Sequence, residues 1–208
     1  MKKVLIVGIN GSPRKNGMTA KELKGVLDAV EEHGGESVLI HLIDKKIKPC
    51  IGCYSNDHTS CVYPCRQKDD MQEIYKILLK ANGIVFATPV YWFNVSGLMK
   101  NFIDRLTCLE CSGFLLEGKI AGFIAATKED EGGRLMPLLN MAGVMSHMGM
   151  IIPPYSLIFY PGIEGNKNWA VEDTKLLGKN MVMLAKLLKD VRTGPEFNKK
   201  LKYSWDLK

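Results

Sequence analysis

Short apolar segments alternate with longer amphipathic segments along most of this chain, and this alternation limits the possible folds more than any other feature. The first apolar segment, residues 4–9, leads into a turn-rich loop and then a helix predicted over residues 18–32. Strand–helix alternation at this spacing predicts a parallel sheet with helices on both faces. The other predicted strands are 37–43, 84–87, 120–126 and 149–152, and the other predicted helices are 69–80, 96–106, 135–147 and 169–191.

The predicted strands and helices follow one another without a linker or an internal repeat. Residues 1–192 are therefore predicted to form one doubly wound α/β domain with a five-stranded parallel sheet. A polar, cysteine-rich segment at residues 44–68 is an insertion in that domain. The basic tail, residues 193–208, has no helical pattern and is either a disordered end or an arm that docks on a partner subunit.

Composition excludes several classes of protein. The longest run of apolar residues and glycine, residues 120–126, is far shorter than the roughly 18 residues of a membrane span, and the N-terminus lacks the pattern of a signal peptide. The net charge of +6 is divided evenly between the two halves, and no nucleic-acid-binding motif accompanies it. We therefore expect a soluble, cytoplasmic protein that binds no membrane and no nucleic acid.

The loop after the first predicted strand, residues 10–19, combines hydroxyl groups, an arginine and glycines. Ligands of open parallel sheets bind beyond the carboxyl ends of the strands. The loop matches neither the G-x-G-x-x-G nor the G-x-x-x-x-G-K-[ST] pattern, which excludes the usual dinucleotide and nucleoside-triphosphate motifs. Ser12, Arg14 and Thr19, with the N–H groups at the start of the next helix, suit a phosphate monoester. The alternative is an ordinary polar turn.

The loop after the third predicted strand places three aromatic residues, Tyr91, Trp92 and Phe93, at the same sheet edge. Such a surface suits a planar ring, with backbone groups available to its edge. A subunit contact or a partly packed corner is the alternative. A phosphate loop and an aromatic loop on adjacent strands together point to FMN.

Three motifs carry a family resemblance: GSPRKNGMT at residues 11–19, TPVYW at 88–92 and LMKNFIDR at 98–105. They resemble the NAD(P)H-dependent FMN reductase family over about residues 3–192. The resemblance implies a flavodoxin-like fold with strand order 2-1-3-4-5, FMN as cofactor, NAD(P)H as the electron donor, and a homodimer or homotetramer. Met18 stands where the family often has an asparagine that helps hold the phosphate. The implied FMN-binding residues are Ser12, Arg14, Asn16, Gly17, Met18, Thr19, Pro89, Val90, Tyr91, Trp92, Phe93 and Asn94.

Four cysteines lie close together as Cys50-x2-Cys53-x7-Cys61-x3-Cys65. Thiolates at such spacing suit an iron–sulfur cluster or a zinc ion. The segment, which leads into Asp-Asp-Met, resembles the iron–sulfur flavoprotein branch of the same family, although Asn56 stands where that branch has its third cysteine. A [4Fe–4S] cluster, a zinc ion and no metal all stay open. The loop follows the second strand, so we expect it at the same sheet edge as the phosphate loop.

The predicted function is FMN-dependent transfer of electrons from NAD(P)H, or from a reduced carrier, to an acceptor. No protein side chain is predicted to act as a catalytic acid or base. The alternatives are a flavodoxin-type electron carrier, which the positive charge disfavours, and a zinc-stabilised module without flavin. Cys108 and Cys111 are interpreted as free buried thiols, and Lys100, Asp104 and Arg105 as a charge network on their own helix.

Overall fold

The computed structural model describes residues 3–55, 58–127, 133, 135–161 and 167–188. Five parallel strands form the main sheet, and a sixth, very short strand adds to one of them as an antiparallel hairpin. The strands are β1 (Leu5–Asn10), β2 (Glu36–His41), β3 (Gly83–Tyr91), β4 (Asn94–Val95), β5 (Ile120–Thr127) and β6 (Leu157–Pro161). Their order is β2-β1-β3-β5-β6, with β4 paired to β3 alone. Apart from β4, this is the predicted 2-1-3-4-5 order, so the predicted fold class is confirmed.

Among the described residues, six α-helices flank the sheet: α1 (Met18–Glu32), α2 (Met71–Lys80), α3 (Gly97–Arg105), α4 (Thr107–Cys111), α5 (Leu135–His147) and α6 (Lys167–Leu187). Apolar side chains of α1 and α6 pack on one face of the sheet with Ile6 of β1. Val7 and Ile9 of the same strand point to the other face, where they pack with residues of α2, α3, α4 and α5. The period-two alternation of a strand therefore gives β1 a core on each side.

Helices α1 and α6 approach each other closely because α6 has a glycine at the contact. A Cβ atom at Gly178 would lie 2.5 Å from the carbonyl oxygen of Val26 and 2.7 Å from the Cβ of Ala29. Any larger residue there would push the two helices apart.

Two predicted elements are corrected. Residues 149–152 are not the last strand, because Ile151 makes only an isolated bridge to Ile120 before two prolines, which lack N–H donors, interrupt the pairing. The last strand is β6, which pairs with β5 from Leu157 onward. Helix α2 begins at Met71 rather than at residue 69. Asp69 precedes the helix, and its carboxylate accepts from the N–H of Met71, the first helical residue, at 3.1 Å.

The predicted tail at residues 193–208 lies outside the described residues, as do most of residues 128–134 and the side chain of His58. In the part of the chain that the structure describes, none of the helices combines the length and the apolar character needed to cross a bilayer.

Candidate functional site

The loop between β1 and α1, residues 11–17, is shaped by its own hydrogen bonds. Asn10, the last residue of β1, is fully buried, and its Nδ2 lies 2.8 Å from Nδ1 of His41 in β2. Its Oδ1 accepts from the N–H of Ser12 at 3.0 Å, and the Oγ of Ser12 accepts from the N–H of Arg14 at 3.1 Å. The N–H of Gly17 donates to the carbonyl of Arg14 at 3.2 Å. These contacts hold the loop in one shape.

The N-terminus of α1 has free backbone donors. Gly17 is the N-cap residue, and among the described residues no side chain caps the helix. The first N–H groups of the helix therefore point outward with the positive end of the helix dipole. Ser12 and Thr19 are each only 3% exposed and bring hydroxyls to this end, whereas Arg14 and Asn16 are exposed.

The loop after β3 is a tight hairpin with two aromatic residues at its tip. Val90 pairs with Val95 and Tyr91 with Asn94, so Trp92 and Phe93 form the two-residue turn. Both have positive φ, 48° and 60°, a left-handed conformation that is unfavourable for residues with a side chain. Trp92 is 94% exposed. A strained turn that holds an indole ring in solvent is a typical feature of a binding site.

Ser96 connects the hairpin to the first loop. Its Oγ donates to the carbonyl of Gly11 at 2.7 Å and accepts from the N–H of Met99 at 3.1 Å, which caps α3. Its own N–H donates to Oγ1 of Thr88 at 2.9 Å. The N–H of Gly11 also donates to the carbonyl of Ala87 in β3 at 2.8 Å. The two predicted loops are therefore one hydrogen-bonded unit at the carboxyl edge of β1 and β3.

We call this unit, residues 10–19 and 88–96, the nucleotide edge. It brings together the twelve predicted FMN-binding residues, although Pro89 is buried in β3 and Val90 is half-buried. Asn10, Thr88 and Ser96 also belong to it, although none of the three was predicted to be a site residue. Serine immediately before a helix is a typical N-cap, and that signal could have identified Ser96.

Gly133, and Asn140 of α5, contact the hairpin at Phe93 and Asn94. A Cβ atom at Gly133 would lie 2.5 Å from Cδ1 of Phe93, so only a glycine allows this approach. Asn140 of α5 donates from Nδ2 to Oδ1 of Asn94 at 3.1 Å. The Phe93 side of the hairpin is therefore supported, while Trp92 is left free in solvent.

FMN fits the nucleotide edge in its chemistry. The open helix end, two buried hydroxyls and an exposed arginine suit a phosphate, and the exposed aromatic turn on the neighbouring strand suits a ring. Glycine at position 11 permits the close approach of the loop to α3, because a Cβ there would lie 2.9 Å from that of Met99.

The cysteine loop, residues 45–68, leaves the nucleotide edge and runs along α3. Three hydrogen bonds between backbone groups of the loop and side chains of, or next to, α3 and α4 fix this path. Asn101 donates to the carbonyl of Ile47 at 2.9 Å, and Arg105 donates from Nη1 to the carbonyl of Lys48 at 2.7 Å. The N–H of Tyr63 donates to Oγ of Ser112, just after α4, at 2.7 Å. The loop therefore begins beside the phosphate loop, where Asp44 pairs with Lys15 at 2.8 Å, and continues from there along α3.

A buried ion pair fastens the two ends of the cysteine loop together. Arg105 donates to both carboxylate oxygens of Asp69, at 2.6 Å and 3.2 Å, and the side chains are 1% and 2% exposed. Asp69 also accepts from the N–H groups of Lys48 and Met71. Arg105 therefore does not belong to a network on its own helix, whereas Lys100 and Asp104 do pair there at 2.6 Å.

The charge of Asp69 is stabilised by these donors. Burial raises the pKa of its carboxyl group, but the hydrogen bonds from Arg105 and from the two backbone N–H groups outweigh burial and hold the pKa below its ordinary value. Two-pronged, charge-assisted hydrogen bonding of this kind is among the strongest polar contacts in proteins.

All six cysteines are free thiols. Cys61 is buried in the larger core, and Cys53 and Cys111, the last residue of α4, pack against that core. Burial first, and then the neighbouring thiol of Cys53, raise the pKa of Cys61 above its ordinary value. This group of three, which we call the thiol triad, includes one residue that was predicted to be an unrelated buried thiol.

The other three thiols have further neighbours of their own. Nη2 of Arg105 is 3.6 Å from Sγ of Cys65, which also interacts with Cys108. Burial raises the pKa of Cys108 to about 11, in keeping with the prediction that it is a free buried thiol. Cys50 accepts a hydrogen bond from the N–H of Gly52 at 3.4 Å.

The predicted metal ligands Cys50, Cys53, Cys61 and Cys65 are not brought together around one point. Within residues 3–55, 58–127 and the other described segments, no three His, Cys, Asp or Glu side chains are placed to hold a metal ion. The described arrangement therefore does not fit a [4Fe–4S] cluster or a zinc ion.

Comparison with known proteins identifies the family. The model of the NADPH-dependent FMN reductase family matches residues 4–160. An iron–sulfur flavoprotein of Methanocaldococcus jannaschii is 31% identical over 88% of this chain and 98% of its own length. One from Methanosarcina thermophila is 31% identical over 71% of this chain and 75% of its own length.

Solved structures agree on the fold. RosB, solved with a bound formylriboflavin phosphate intermediate, superposes with a TM-score of 0.74 at 16% identity, over 98% of this chain and 83% of its own. An apo NADH:FMN oxidoreductase superposes with a TM-score of 0.66 at 22% identity, over 97% of this chain and 100% of its own. Together with the flavodoxin-like strand order and the sequence matches, these findings show that the chain belongs to the NADPH-dependent FMN reductase family, in its iron–sulfur flavoprotein branch.

Proposed function

We propose that this chain binds FMN at the nucleotide edge and uses it to move electrons from NAD(P)H, or from a reduced carrier, to an acceptor. The main support for the proposal is the hydrogen bond from Ser96 to the carbonyl of Gly11. It connects the loop that leads to the uncapped start of α1 with the hairpin that carries the exposed Trp92. Family membership supports FMN-dependent oxidoreductase chemistry.

On the phosphate side, the chain supplies donors that need little rearrangement. The Oγ of Ser12 already accepts from the N–H of Arg14, so its own hydrogen is available to an anion. The exposed side chain of Arg14 can close over the phosphate from solvent, and the first N–H groups of α1 add the helix dipole. Lys15 is engaged with Asp44 at 2.8 Å and is not assigned to the phosphate.

On the ring side, the hairpin supplies a stacking surface and exposed backbone. Tyr91, Trp92 and Phe93 are all exposed, and Asn94 is fixed by Asn140. When bound, FMN supplies the redox chemistry, and the protein orients the ring and shields it from water. We assign no side chain as an acid or base, and the proposal contains no step through a metal cluster, because the described thiols do not fit one.

Arginine 14 offers a direct test of the phosphate assignment. A charge-assisted hydrogen bond contributes about 1.5–3 kcal/mol, so Arg14→Ala is expected to weaken FMN binding by about tenfold to a hundredfold. The measurement is a fluorescence-quench titration of the apoprotein with FMN. Lys15→Ala is the matched control, since it removes the adjacent cation and should change the affinity less than about threefold. Equal affinity in wild type and Arg14→Ala would remove Arg14 from the site.

Electron donation is tested separately by steady-state oxidation of NADH and NADPH with a flavin-loaded sample. Turnover with either nicotinamide supports a reductase. A protein that binds FMN but oxidises neither nicotinamide would instead be a carrier of the flavodoxin type, which exchanges electrons with protein partners.

We further propose that two copies of the chain associate through α5. Four large apolar side chains of this helix face solvent beside the hairpin: Leu135, Met136, Leu139 and Val144. Exposed large apolar side chains concentrated on one helix are a feature of protein contacts. Light scattering coupled to gel filtration should give a dimer for the wild type and a smaller mass for Leu139→Lys, whereas Val171→Lys on exposed α6 should leave the mass unchanged.

A further inference from the structure

The hydrogen bonds of the nucleotide edge continue into β2, the strand at one end of the sheet. His41, the last residue of β2, lies opposite Asn10 in the register of β1 and β2. Its Nδ1 is 2.8 Å from Nδ2 of Asn10, and Oδ1 of Asn10 accepts from the N–H of Ser12. Oγ of Ser12 in turn accepts from the N–H of Arg14. A series of three hydrogen bonds therefore connects an imidazole to the loop that we assign to the phosphate.

The direction of this series is fixed by its backbone donor. The N–H of Ser12 can only donate, so Asn10 must present its oxygen to Ser12 and its amide nitrogen to His41. Because that nitrogen is a donor, Nδ1 of His41 must accept. Only a neutral imidazole with its proton on Nε2 has an acceptor at Nδ1. The shape of the loop thus requires one protonation state and one tautomer of His41.

A proton on Nδ1 of His41 breaks this series wherever the side chains turn. In the present arrangement it would face the amide nitrogen of Asn10, and both groups are donors. Rotation of that amide would give His41 an acceptor, but would set the nitrogen against the N–H of Ser12. If the imidazole turned away, the amide nitrogen would lose its acceptor. Since Asn10 is 0% exposed, each arrangement leaves a buried donor unsatisfied.

Charged side chains lie on the segments that pack around the end of β2. They are Asp44 and Lys45, which follow the strand, Lys15 of the loop between β1 and α1, and Lys24, Asp28 and Glu31 on the flank of α1 that reaches β2. The acids among them already have partners, since Asp44 and Asp28 are in ion pairs and Glu31 accepts from a serine hydroxyl. Nδ1 of His41 contacts Asn10 instead, so these groups do not take the place of that amide.

We propose that His41 is a positioning residue for the phosphate of FMN, and that it acts only as the neutral imidazole protonated on Nε2. Protonation of Nδ1 disrupts the loop at Ser12 and thereby weakens FMN binding. The inference rests on the proposed function, because the ligand it concerns is FMN. It adds to that function a residue from a strand outside the nucleotide edge and a dependence on pH.

The test is a fluorescence-quench titration of the apoprotein with FMN at constant ionic strength, between about pH 8 and about pH 5, where an imidazole changes charge. His41→Gln is the matched variant, because its side-chain oxygen can accept from Asn10 and does not titrate. The phosphate of FMN also titrates in this range, but equally for every variant. The measured quantity is therefore the ratio of wild-type to variant affinity. It should be near one at the alkaline end and fall about tenfold in acid, as expected for one buried donor left unsatisfied.

Two further variants sharpen the result. His33→Gln removes a histidine whose Nδ1 contacts the carbonyl of Ala29 within α1, away from the loop, and should keep the wild-type pH profile. His41→Leu offers no acceptor in any charge state, so it should bind FMN about tenfold more weakly than the wild type at about pH 8 and equally at about pH 5. If glutamine does not reach Asn10, His41→Gln will behave as His41→Leu, and the comparison with His41→Leu gives the same test.

A readout without FMN is nitrogen-15 NMR of the histidine-labelled apoprotein, in which Nδ1 of His41 should be the unprotonated ring nitrogen at about pH 8. A neutral ring with its proton on Nδ1 would overturn the inference. So would ratios to both His41 variants that stay constant across the pH range, while all forms bind FMN and the proposed function stands. The absence of FMN binding by every form at every pH is a different result, which would overturn the proposed function and this inference together.

Discussion

The nucleotide edge and the cysteine loop both follow a strand of the same sheet, yet they are built in opposite ways. At the nucleotide edge, Trp92 is almost fully exposed and the start of α1 has no side-chain cap. In the cysteine loop, an ion pair with 1% and 2% exposed side chains closes the base, and the sulfur of Cys61 is buried. The first region keeps donors and rings open to a ligand, whereas the second pairs its buried charges with each other.

Each region also contains an ion pair, and the two pairs are expected to contribute differently to the free energy of unfolding. Lys15 and Asp44 meet in solvent at 2.8 Å, while Asp69 and Arg105 meet in the interior at 2.6 Å. Solvent screens the first pair, so its loss costs little. Removing one partner of the second leaves a charge buried without compensation, which is among the most destabilising changes known in proteins.

The largest expected effect is therefore that of Asp69→Asn. The loss of a buried carboxylate beside Arg105 should lower the free energy of unfolding by about 3–5 kcal/mol, measured by urea denaturation at neutral pH. Asp70→Asn is the matched control, because its carboxylate accepts from the N–H of Lys46 at an exposed position. A loss for Asp69→Asn as small as that for Asp70→Asn would contradict the contrast between the two regions.

The same carboxylate predicts a pH dependence. The pKa of Asp69 is lowered in the folded protein, so its stabilising contribution is fully present above its ordinary pKa in the unfolded chain. That contribution is lost as the pH falls through the lowered folded pKa. Wild type and Asp69→Asn should therefore converge in stability in acid.

The second effect concerns the link within the nucleotide edge. Ser96→Ala removes the cap of α3 and the donor to the buried carbonyl of Gly11, at a cost of about 1–3 kcal/mol in unfolding free energy. FMN affinity should fall as well, because the two loops lose their connection. Ser37→Ala, at an exposed site where the hydroxyl donates to Glu31, is the control and should change neither quantity. Unchanged FMN affinity in Ser96→Ala would show that the loops bind independently.

The third prediction concerns a substitution, Trp92→Gly, that should stabilise the fold but weaken FMN binding. Trp92→Gly relieves a left-handed backbone conformation, which should stabilise the fold by about 1 kcal/mol. It also removes the exposed ring, so FMN binding should weaken. Tyr155 has the same conformation, φ 61°, and lies before β6 at the opposite edge of the sheet. Tyr155→Gly should stabilise the fold and leave FMN affinity unchanged; if Trp92→Gly does the same, Trp92 faces a subunit contact.

The parts that could be predicted from the sequence are those fixed by short-range patterns. The limits of α1 and α5 and the strand order followed from apolar periodicity and the family motifs. The turn at Trp92 and Phe93 was predicted to be a ring-binding surface, but its left-handed backbone was not. Aromatic residues rarely adopt that conformation, so no turn signal marks it.

The arrangement of the cysteine loop could not be predicted in this way. Asp69 and Arg105 are separated by 36 positions, and Cys111 packs against the core that contains Cys61 because the end of α4 lies beside the loop, where Ser112 accepts from the N–H of Tyr63. Cysteine spacing records neither contact. The spacing of Cys50, Cys53, Cys61 and Cys65 pointed to a metal, whereas in the described part of the chain these thiols do not form a group that could hold one, and Arg105 of α3 lies beside the sulfur of Cys65.

The smallest effect is expected at the exposed pair. The hydrogen bond from Lys15 is the main cause that lowers the pKa of Asp44 in the folded protein. Lys15→Ala should therefore raise the pKa of Asp44 toward its ordinary value, which NMR titration of the side-chain carboxyl carbon can follow, while the urea midpoint at neutral pH stays within error of the wild type. The lowered pKa of Asp44 stabilises the fold only while this carboxyl group is ionised. Any difference in unfolding free energy between Lys15→Ala and the wild type should therefore vanish in acid. A large loss of stability in Lys15→Ala would mean that this pair also braces the loop between β1 and α1, and that the nucleotide edge is less open than its exposed residues indicate.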